Sequence, residues 1–346
     1  MDSLVTILLP CYNARATIDT ALNSLVQQSY RDLEILVIDD GSDDGTSDAI
    51  RRHAARDRRI RAERSDTNNG LIVTLNHGLQ LARGAFIARI DADDIAARDR
   101  ISTQVAFLMA HPDIAVLGSG EYRIDANTGR PLKSNPVRCF WPVGTRFMSL
   151  FANPVSHPTI MARAPILRSY RYGGTHHASH TEDYELFARM LADGHQFANL
   201  PQRLVTRLIG PHGVSARNEA QQINNFVECA RRHLARETGI TATPGCHRVF
   251  VNRLDSTSSA CELRAGISLL NTLEQKALRD HPDDVTDIRR VADMQYLDIV
   301  LQALRRGNVS VKAAALSSTI RNPSDSLSAD ARFYLGTKLR RLPTRG

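Results

Sequence analysis

The sequence predicts an α/β fold with a mixed, mainly parallel sheet sandwiched by helices, followed by a C-terminal helical module. Strand-like apolar runs alternate with helix-spaced patterns over the first 117 residues, which favours parallel strands with helices on both faces. Polar turns follow these strands directly, at the sheet edge where such folds bind ligands. After residue 217 helical patterns dominate. We therefore expect one domain at 1–216, with halves at 1–117 and 118–216, and a helical module at 217–346.

Each element follows from its residues. Short runs of apolar residues predict buried strands, and apolar residues at helical spacing predict helices. Ser47 is a suitable N-cap for the second helix, and Gly84 a suitable stop for the third. The predicted strands are 4–9, 34–38 and 85–90, and the predicted helices are 17–28, 47–55, 70–82, 183–191, 226–236, 261–278, 287–305 and 325–341.

Composition narrows the class of protein. The formal net charge of +7 suits acidic partners, but aromatic residues make up only 5% and do not alternate with basic ones, which argues against nucleic acid. Five cysteines without a Cys-x-x-Cys pair argue against a disulfide framework and a zinc site, and fit a reducing compartment. The chain shows neither an apolar leader nor a window of about 18 apolar residues.

We therefore expect a cytoplasmic protein. The helical module ends in a basic stretch, and two interpretations stay open for it. It is either a packing extension that stabilises the first domain, or a surface for peripheral contact with the inner face of the cytoplasmic membrane.

A cluster of carboxylates follows the strand at 85–90, in the order Asp91-Ala92-Asp93-Asp94. Hard carboxylate oxygens at this spacing can hold one divalent cation while that cation grips a diphosphate. Taken alone, such a turn is more often a solvated loop, so the neighbouring turns matter.

Polar turns at the other strand ends carry further candidate ligands. The ring of Tyr12 can stack on a nucleobase, and Asn13 can cap the next helix or bind a ligand. The segment 39–46 is either a solvated acidic turn or a site where a carboxylate accepts hydrogens from a base, and its glycines allow close backbone approach. The pair Asn69-Gly70 is a turn and cap, or part of a sugar site.

Two more candidates lie in the second half of the first domain. Glu182 and Asp183 precede a helix, where they complement its dipole or, near a metal-diphosphate site, supply a general base with a raised pKa. His157 stands between two prolines, as a structural residue or in a loop that contacts substrate.

In this order the motifs resemble the family 2 inverting glycosyltransferases, which have the GT-A fold. The resemblance extends over about residues 3–215 and includes Arg100 with Gln104. The motifs that carry it are 6–13, 38–46, 69–76, 88–94, 157–158 and 182–186.

The resemblance implies a role for each matched residue. Residues 1–117 would be the nucleotide-sugar-binding half, where Tyr12 and Asp40 hold the base and Asp91 lies near the ribose and the metal. Asp93 would ligate Mn²⁺ or Mg²⁺ on the diphosphate. The remaining donor-site positions implied are Pro10, Asn13, Asn69, Gly70, Arg89 and Ala92.

Residues 118–216 would be the acceptor-binding half. The resemblance implies that Asp183 is the catalytic base with Glu182 as its neighbour, and that His157 contacts substrate. Relatives often carry Arg-x-His near residue 215, a spacing that is shifted here, so His212 either replaces that histidine or the contact is absent. Many relatives have arginine at the position of Leu75 and proline at the position of Arg98.

The function implied is metal-dependent, inverting transfer of a sugar from a nucleotide sugar, with UDP the expected nucleotide. The acceptor would be a hydroxyl of a glycan or lipid-linked saccharide in cell-surface or extracellular polysaccharide synthesis. A nucleotidyltransferase is disfavoured because residues 10–16 lack glycine, and an inactive scaffold because Asp91, Asp93 and Asp183 are intact. A dinucleotide oxidoreductase is excluded because no Gly-x-Gly-x-x-Gly follows the first strand.

Overall fold

The computed structural model describes residues 3–132, 141–175, 179–210 and 219–321. These residues form two compact units. The first comprises the described residues up to 132 and from 155 to 222, and the second comprises 141–154 and 223–321. Residues 141–154, which the sequence placed in the acceptor half, therefore group with the helical residues. The division of the first domain into donor and acceptor halves stays a prediction.

Four parallel strands form one side of the sheet in the first unit. Every residue of β1 (Val5–Cys11) and β2 (Leu33–Asp39) is buried, because helices cover both faces. β1 pairs with β2 on one side and with β4 (Phe86–Arg89) on the other, and β3 (Ile60–Arg64) lies at the edge beside β2. The carboxyl ends of β1, β2 and β4 therefore meet at one edge, as expected.

The other side of the sheet is mixed. Within the described residues the strand order is β3-β2-β1-β4-β8-β6-β9-β5, with β7 beside β6. Pairing is antiparallel for β4 with β8, β8 with β6 and β5 with β9, and parallel for β6 with β9. These strands are β5 (Asp94–Ala96), β6 (Ile114–Asp125), β7 (Pro131–Leu132), β8 (Met161–Arg163) and β9 (Gln196–Ile209).

Helices pack on both faces of this sheet, which confirms the predicted layers. One apolar core joins α1, α2 and α4 to the sheet, and a second joins α3, α6 and α7 to the opposite face. The bounds are α1 (Ile18–Val26), α2 (Thr46–Ala54), α3 (Leu71–Leu81), α4 (Arg100–Ala110), α6 (Ala164–Arg168) and α7 (Glu182–Ala192).

The second unit is helical. Its α10 begins with a capping box, in which Ser259 and Glu262 each accept from the other's backbone N–H. The predicted helix at 325–341 lies outside the described residues. The bounds are α5 (Pro142–Ser149), α8 (Glu219–Thr238), α9 (Pro244–Phe250), α10 (Ala260–Asp280), α11 (Val285–Arg306) and α12 (Val309–Arg321), where α8 starts in the first unit.

Across the part of the chain that the structure describes, no helix is both long enough and apolar enough to cross a bilayer.

Two predicted helix boundaries are wrong. Gly45, in a left-handed conformation, precedes α2, and the Ser47 hydroxyl donates to the Asp39 carboxylate instead of capping the helix. Gly84 does not end α3, because the chain is already extended at Ala82. The amide of Gly84 donates instead to the Thr6 hydroxyl at 2.9 Å.

A fully buried arginine ties three elements together beneath the end of β4. Arg100, the first residue of α4, donates through Nη2 to the carbonyls of Arg89 at 2.7 Å and Ile160 at 3.2 Å. Its Nε donates to Gln104, whose amide donates in turn to the Thr159 carbonyl at 2.8 Å. These bonds hold β4 to the chain before β8.

We predict that Arg100→Met destabilises the protein by about 1–3 kcal/mol, since it removes the buried donor that serves the Arg89 carbonyl and Gln104 Oε1. Urea denaturation monitored by circular dichroism measures the change. Arg98→Ala is the matched control, because Arg98 is exposed and should cost less than about 0.5 kcal/mol. Equal stability of the two variants would contradict the structural role of Arg100.

Candidate active site

The predicted acidic cluster forms at the carboxyl end of β4. The strand ends at Arg89, a short turn carries Asp91 and Asp93, and Asp94 begins β5. Asp91, Asp93 and Asp94 each offer an oxygen, and these oxygens lie within 4.8 Å of one another. Asp93 is exposed and Asp94 is buried, so the cluster faces solvent on one side only.

Burial and the proximity of like charges together determine the electrostatics of the cluster. Burial, followed by the charge of Asp91, raises the pKa of Asp94 to about 8 and also raises the pKa of Asp93. Asp94 Oδ2 is buried and has no hydrogen-bond donor among the described residues. Three carboxylates with a deficit of positive charge and a spare buried oxygen fit a hard divalent cation.

Arg89 provides the nearest positive charge. Its side chain, only 5% exposed, forms a two-point ion pair with Asp91, in which Nη1 donates to Oδ2 at 2.7 Å and Nη2 donates to Oδ1. The two side chains reach each other because residues two apart on an extended chain point the same way.

A second cation comes from far along the chain. β5 pairs with β9 so that Asp94 lies opposite Arg207, whose Nε is 3.9 Å from Asp94 Oδ2. Arg207 Nη1 is 3.5 Å from Glu121, and Glu121 accepts from the Ser156 hydroxyl at 2.6 Å. Sequence reasoning missed the roles of Glu121 and Ser156 and this ion pair, because no local pattern reveals the pairing of β5 with β9.

The predicted acid pair lies at the start of α7. Burial, followed by the charge of Asp183, raises the pKa of Glu182 to about 7. The charges of Arg89 and Asp91 also act on the pKa of Glu182, so the start of α7 interacts electrostatically with the acidic cluster. Asp183 Oδ1 accepts from the Tyr184 amide at 2.7 Å.

His157 is buried inside the protein, in contact with α7. Its Nε2 is 2.9 Å from the Tyr172 hydroxyl, and its ring packs edge-on against Phe187. Burial, with the charges of Arg89 and Arg207, holds the pKa of His157 well below its usual value. His157 is therefore neutral at pH 7, and its contact with the acceptor stays a prediction.

Tyr172, which sequence reasoning did not single out, links this region to α3. Its backbone carbonyl accepts from Asn76 Nδ2 at 3.1 Å, and its backbone N–H donates to Asn76 Oδ1 at 2.9 Å. The feature of the sequence that could have indicated this contact is Asn76, a polar residue within the amphipathic helix α3.

The predicted donor residues of β2 and α3 are joined directly. Asp40, buried at the end of β2, accepts from the amides of Asn69 at 3.0 Å and Gly70 at 2.8 Å. Gly41 lets the two loops touch, since a Cβ there would lie 2.6 Å from the Thr67 carbonyl carbon. The glycine therefore brings these two loops together, and a close approach of this backbone to a ligand stays a prediction.

The β1 turn lies beside these loops. Tyr12 is 47% exposed, which leaves its ring available for stacking. Asn13 does not cap α1, which begins after Thr17, and its Oδ1 accepts instead from the Asp43 amide at 3.1 Å. Pro10, within β1, and Ala92, within the turn after β4, are both buried. His212 lies outside the described residues.

Known proteins are similar in sequence to this chain. The model of Glycosyl transferase family 2 matches residues 6–172. EpsE of Bacillus subtilis, which is named as a glycosyltransferase, is 33% identical over 205 residues, 58% of this chain and 71% of EpsE. The amylovoran biosynthesis glycosyltransferase AmsE of Erwinia amylovora is 28% identical over 244 residues, 68% of this chain and 88% of AmsE.

Solved structures show the same fold. The mannosyltransferase PcManGT from Pyrobaculum calidifontis, in complex with GDP-Man and Mn²⁺, has a TM-score of 0.55 at 18% identity, covering 98% of this chain and 85% of its own. S. aureus TarS 1–349, in complex with UDP-GlcNAc, has a TM-score of 0.55 at 16% identity, covering 99% and 93%.

The fold is therefore that of the GT-A glycosyltransferases, and the acidic residues lie at its ligand-binding edge. The protein is a glycosyltransferase, and the chain belongs to glycosyl transferase family 2. The resemblance that the motifs indicated is confirmed for the family, the fold and the enzyme class.

We predict that Asp40→Asn lowers the free energy of unfolding by about 1–3 kcal/mol, because an amide has one acceptor oxygen for two partly buried backbone donors. Chemical denaturation measures the change. The matched control is Asp43→Asn, an exposed neighbour whose loss should cost less than about 0.5 kcal/mol. A smaller effect at Asp40 than at Asp43 would rule out the anchoring role.

We predict that Glu182→Gln stabilises the protein more at pH 8 than at pH 5. Because the folded-state pKa of Glu182 is raised to about 7, its contribution to stability is complete below its usual pKa of 4.5 and is lost as pH rises through 7. Glutamine imitates the protonated form, so the gain at pH 8 should be on the order of 1 kcal/mol. Urea denaturation in EDTA measures it, and equal effects at both pH values would contradict the raised pKa.

Proposed function

We propose that this enzyme transfers a glycosyl group, with inversion, from a UDP-sugar to a hydroxyl of a glycan or lipid-linked saccharide. The site supports this through one observation: two sets of carboxylates, Asp91 to Asp94 and Glu182 with Asp183, share a site at a sheet edge that also carries Arg89 and Arg207.

The names of similar proteins support the choice of substrates. A relative from Escherichia coli, WfgD, is named as a UDP-Glc:α-D-GlcNAc-diphosphoundecaprenol β-1,3-glucosyltransferase and is 28% identical over 206 residues. That share is 56% of this chain and 71% of WfgD. AmsE is named for amylovoran biosynthesis, which supports a role in polysaccharide synthesis. We propose that the enzyme described here acts in the cytoplasm, and its peripheral contact with the membrane stays a prediction.

The donor would bind along the carboxyl ends of β1, β2 and β4. Tyr12 offers an exposed ring for the base, and Asp40 fixes the loop at Asn69 and Gly70 that borders the same edge. Because the Asp40 carboxylate already accepts two backbone bonds, we propose that it acts on the base mainly by holding this loop.

Asp93 and Asp91 would hold Mn²⁺ or Mg²⁺. When bound, that cation supplies positive charge against the nucleoside diphosphate leaving group. Arg207, held by Glu121, adds fixed positive charge beside Asp94. Charges fixed before the reaction stabilise a developing negative charge without reorganisation.

Asp183 would take the proton from the acceptor hydroxyl. At the same time the hydroxyl oxygen of the acceptor attacks the anomeric carbon, and the bond from that carbon to the diphosphate breaks. A single displacement of this kind inverts the anomeric centre and needs no carboxylate nucleophile. Glu182, with its pKa raised to about 7, is partly protonated at neutral pH and so limits the repulsion on Asp183.

The first experiment is a thermal-shift panel of UDP, GDP, dTDP and CMP and their sugars, each with and without Mn²⁺. A ligand that binds the folded protein raises its melting temperature by mass action. We expect UDP and one UDP-sugar to give a shift that requires Mn²⁺.

Two variants separate the roles of the carboxylates. We predict that Asp93→Asn abolishes the Mn²⁺-dependent shift, and that Asp183→Asn keeps the shift but lowers transfer at least about 100-fold. Asparagine at 183 can still accept from the Tyr184 amide, so the helix start should survive. A radiolabelled-donor assay with saccharide acceptors measures transfer.

The control for both variants is Asp113→Asn, an exposed aspartate before β6, which should leave binding and transfer unchanged. Normal transfer by the Asp183→Asn variant would show that Asp183 is not the catalytic base. An undiminished Mn²⁺-dependent shift in Asp93→Asn would remove it as a metal ligand.

A further inference from the structure

The ion pair between Arg89 and Asp91 uses the carboxylate that the metal would need. Each oxygen of Asp91 accepts from one Nη atom of Arg89, so the guanidinium engages both. Asp91 is also one of the three residues whose oxygens could hold a cation. A guanidinium bound at two points and a divalent cation therefore compete for one group.

Arg89 is placed so that it can give up this partner. Its Nε is buried and has no hydrogen-bond acceptor among the described residues, so only the tip of the guanidinium is engaged by a side chain. Asp91 is 28% exposed and can be reached from solvent, whereas Arg89 is 5% exposed. A cation would approach from the open side while Arg89 stays inside.

Other carboxylates can neutralise the guanidinium of Arg89 after it leaves Asp91. The positive charge of Arg89 lowers the pKa of Glu182, Asp93 and Asp94 against the stronger effect of burial. Arg89 thus already interacts with both parts of the acidic site, and an anionic donor entering the site would be a further partner for it.

We propose that Arg89 is an exchangeable counter-ion of Asp91: it weakens divalent-cation binding to the empty site, and its release makes cation and anionic donor bind together. This inference rests on the proposed function, since it takes Asp91 as a metal ligand. Two like charges a few ångströms apart repel, so the cation alone binds poorly. A donor diphosphate that draws Arg89 from Asp91 improves cation binding, and by linkage the cation improves donor binding equally.

Direct Mn²⁺ binding tests this without any measurement of activity. The electron paramagnetic resonance signal of free Mn²⁺ gives the Kd for wild type, Arg89→Gln, Arg89→Lys and a control. We expect Arg89→Gln to bind Mn²⁺ alone at least about tenfold more tightly, or about 1.4 kcal/mol. Arg89→Lys keeps the charge but not the two-point bond, and should lie between them.

The matched control is Arg61→Gln. Arg61 pairs with Glu63, also two residues along a strand, at the β3 edge of the sheet. It should leave the Kd for Mn²⁺ unchanged. In an Asp91→Asn background the tighter binding caused by Arg89→Gln should disappear, because the competition acts through Asp91.

Unchanged or weaker Mn²⁺ binding by folded Arg89→Gln would overturn the inference. If Arg89→Gln does not fold, Arg89→Lys is used instead, and unchanged or weaker Mn²⁺ binding by Arg89→Lys would overturn the inference. If wild type binds no Mn²⁺ even with UDP, the proposed metal-dependent function fails instead. The two failures are therefore distinguishable.

Discussion

The burial of Arg100 is the constraint on which the acidic site depends. Its guanidinium is completely buried, and burial lowers its pKa to about 9, so it stays charged at neutral pH. The charge is stabilised by backbone carbonyls at the end of β4 and before β8, together with Gln104. Because β4 stops where this bond is made, the next residues leave the sheet as a turn and present their carboxylates at its edge.

The site itself combines carboxylates and guanidinium groups that are partly shielded from water. Carboxylates of the β4 turn and α7 outnumber the guanidinium groups of Arg89 and Arg207 that neutralise them. Burial therefore keeps Asp94 and Glu182 partly protonated, which limits the negative charge of the empty site. The same residues ionise readily when positive charge enters, so a single arrangement suits both states.

The sequence was sufficient for the features that are local. Apolar runs located β1, β2 and β4, and the polar residues after them indicated the ligand-binding edge before any partner strand was known. β3 lay outside the predicted elements because only Ile60 is buried in it and three of its other four residues are charged. Glu121 and Arg207 could not be assigned to the site, because their contacts depend on strand pairing between distant segments.

The pairing of β5 with β9 has a consequence for biogenesis. It joins Asp94 to a residue more than a hundred positions later, and β9 also pairs with β6. Contacts between distant segments form slowly because a long loop must close first. During synthesis the first strands can assemble early, but the acidic turn lacks its second counter-charge until β9 has left the ribosome. The nascent enzyme can therefore form its parallel strands before its site acquires a balance of charge.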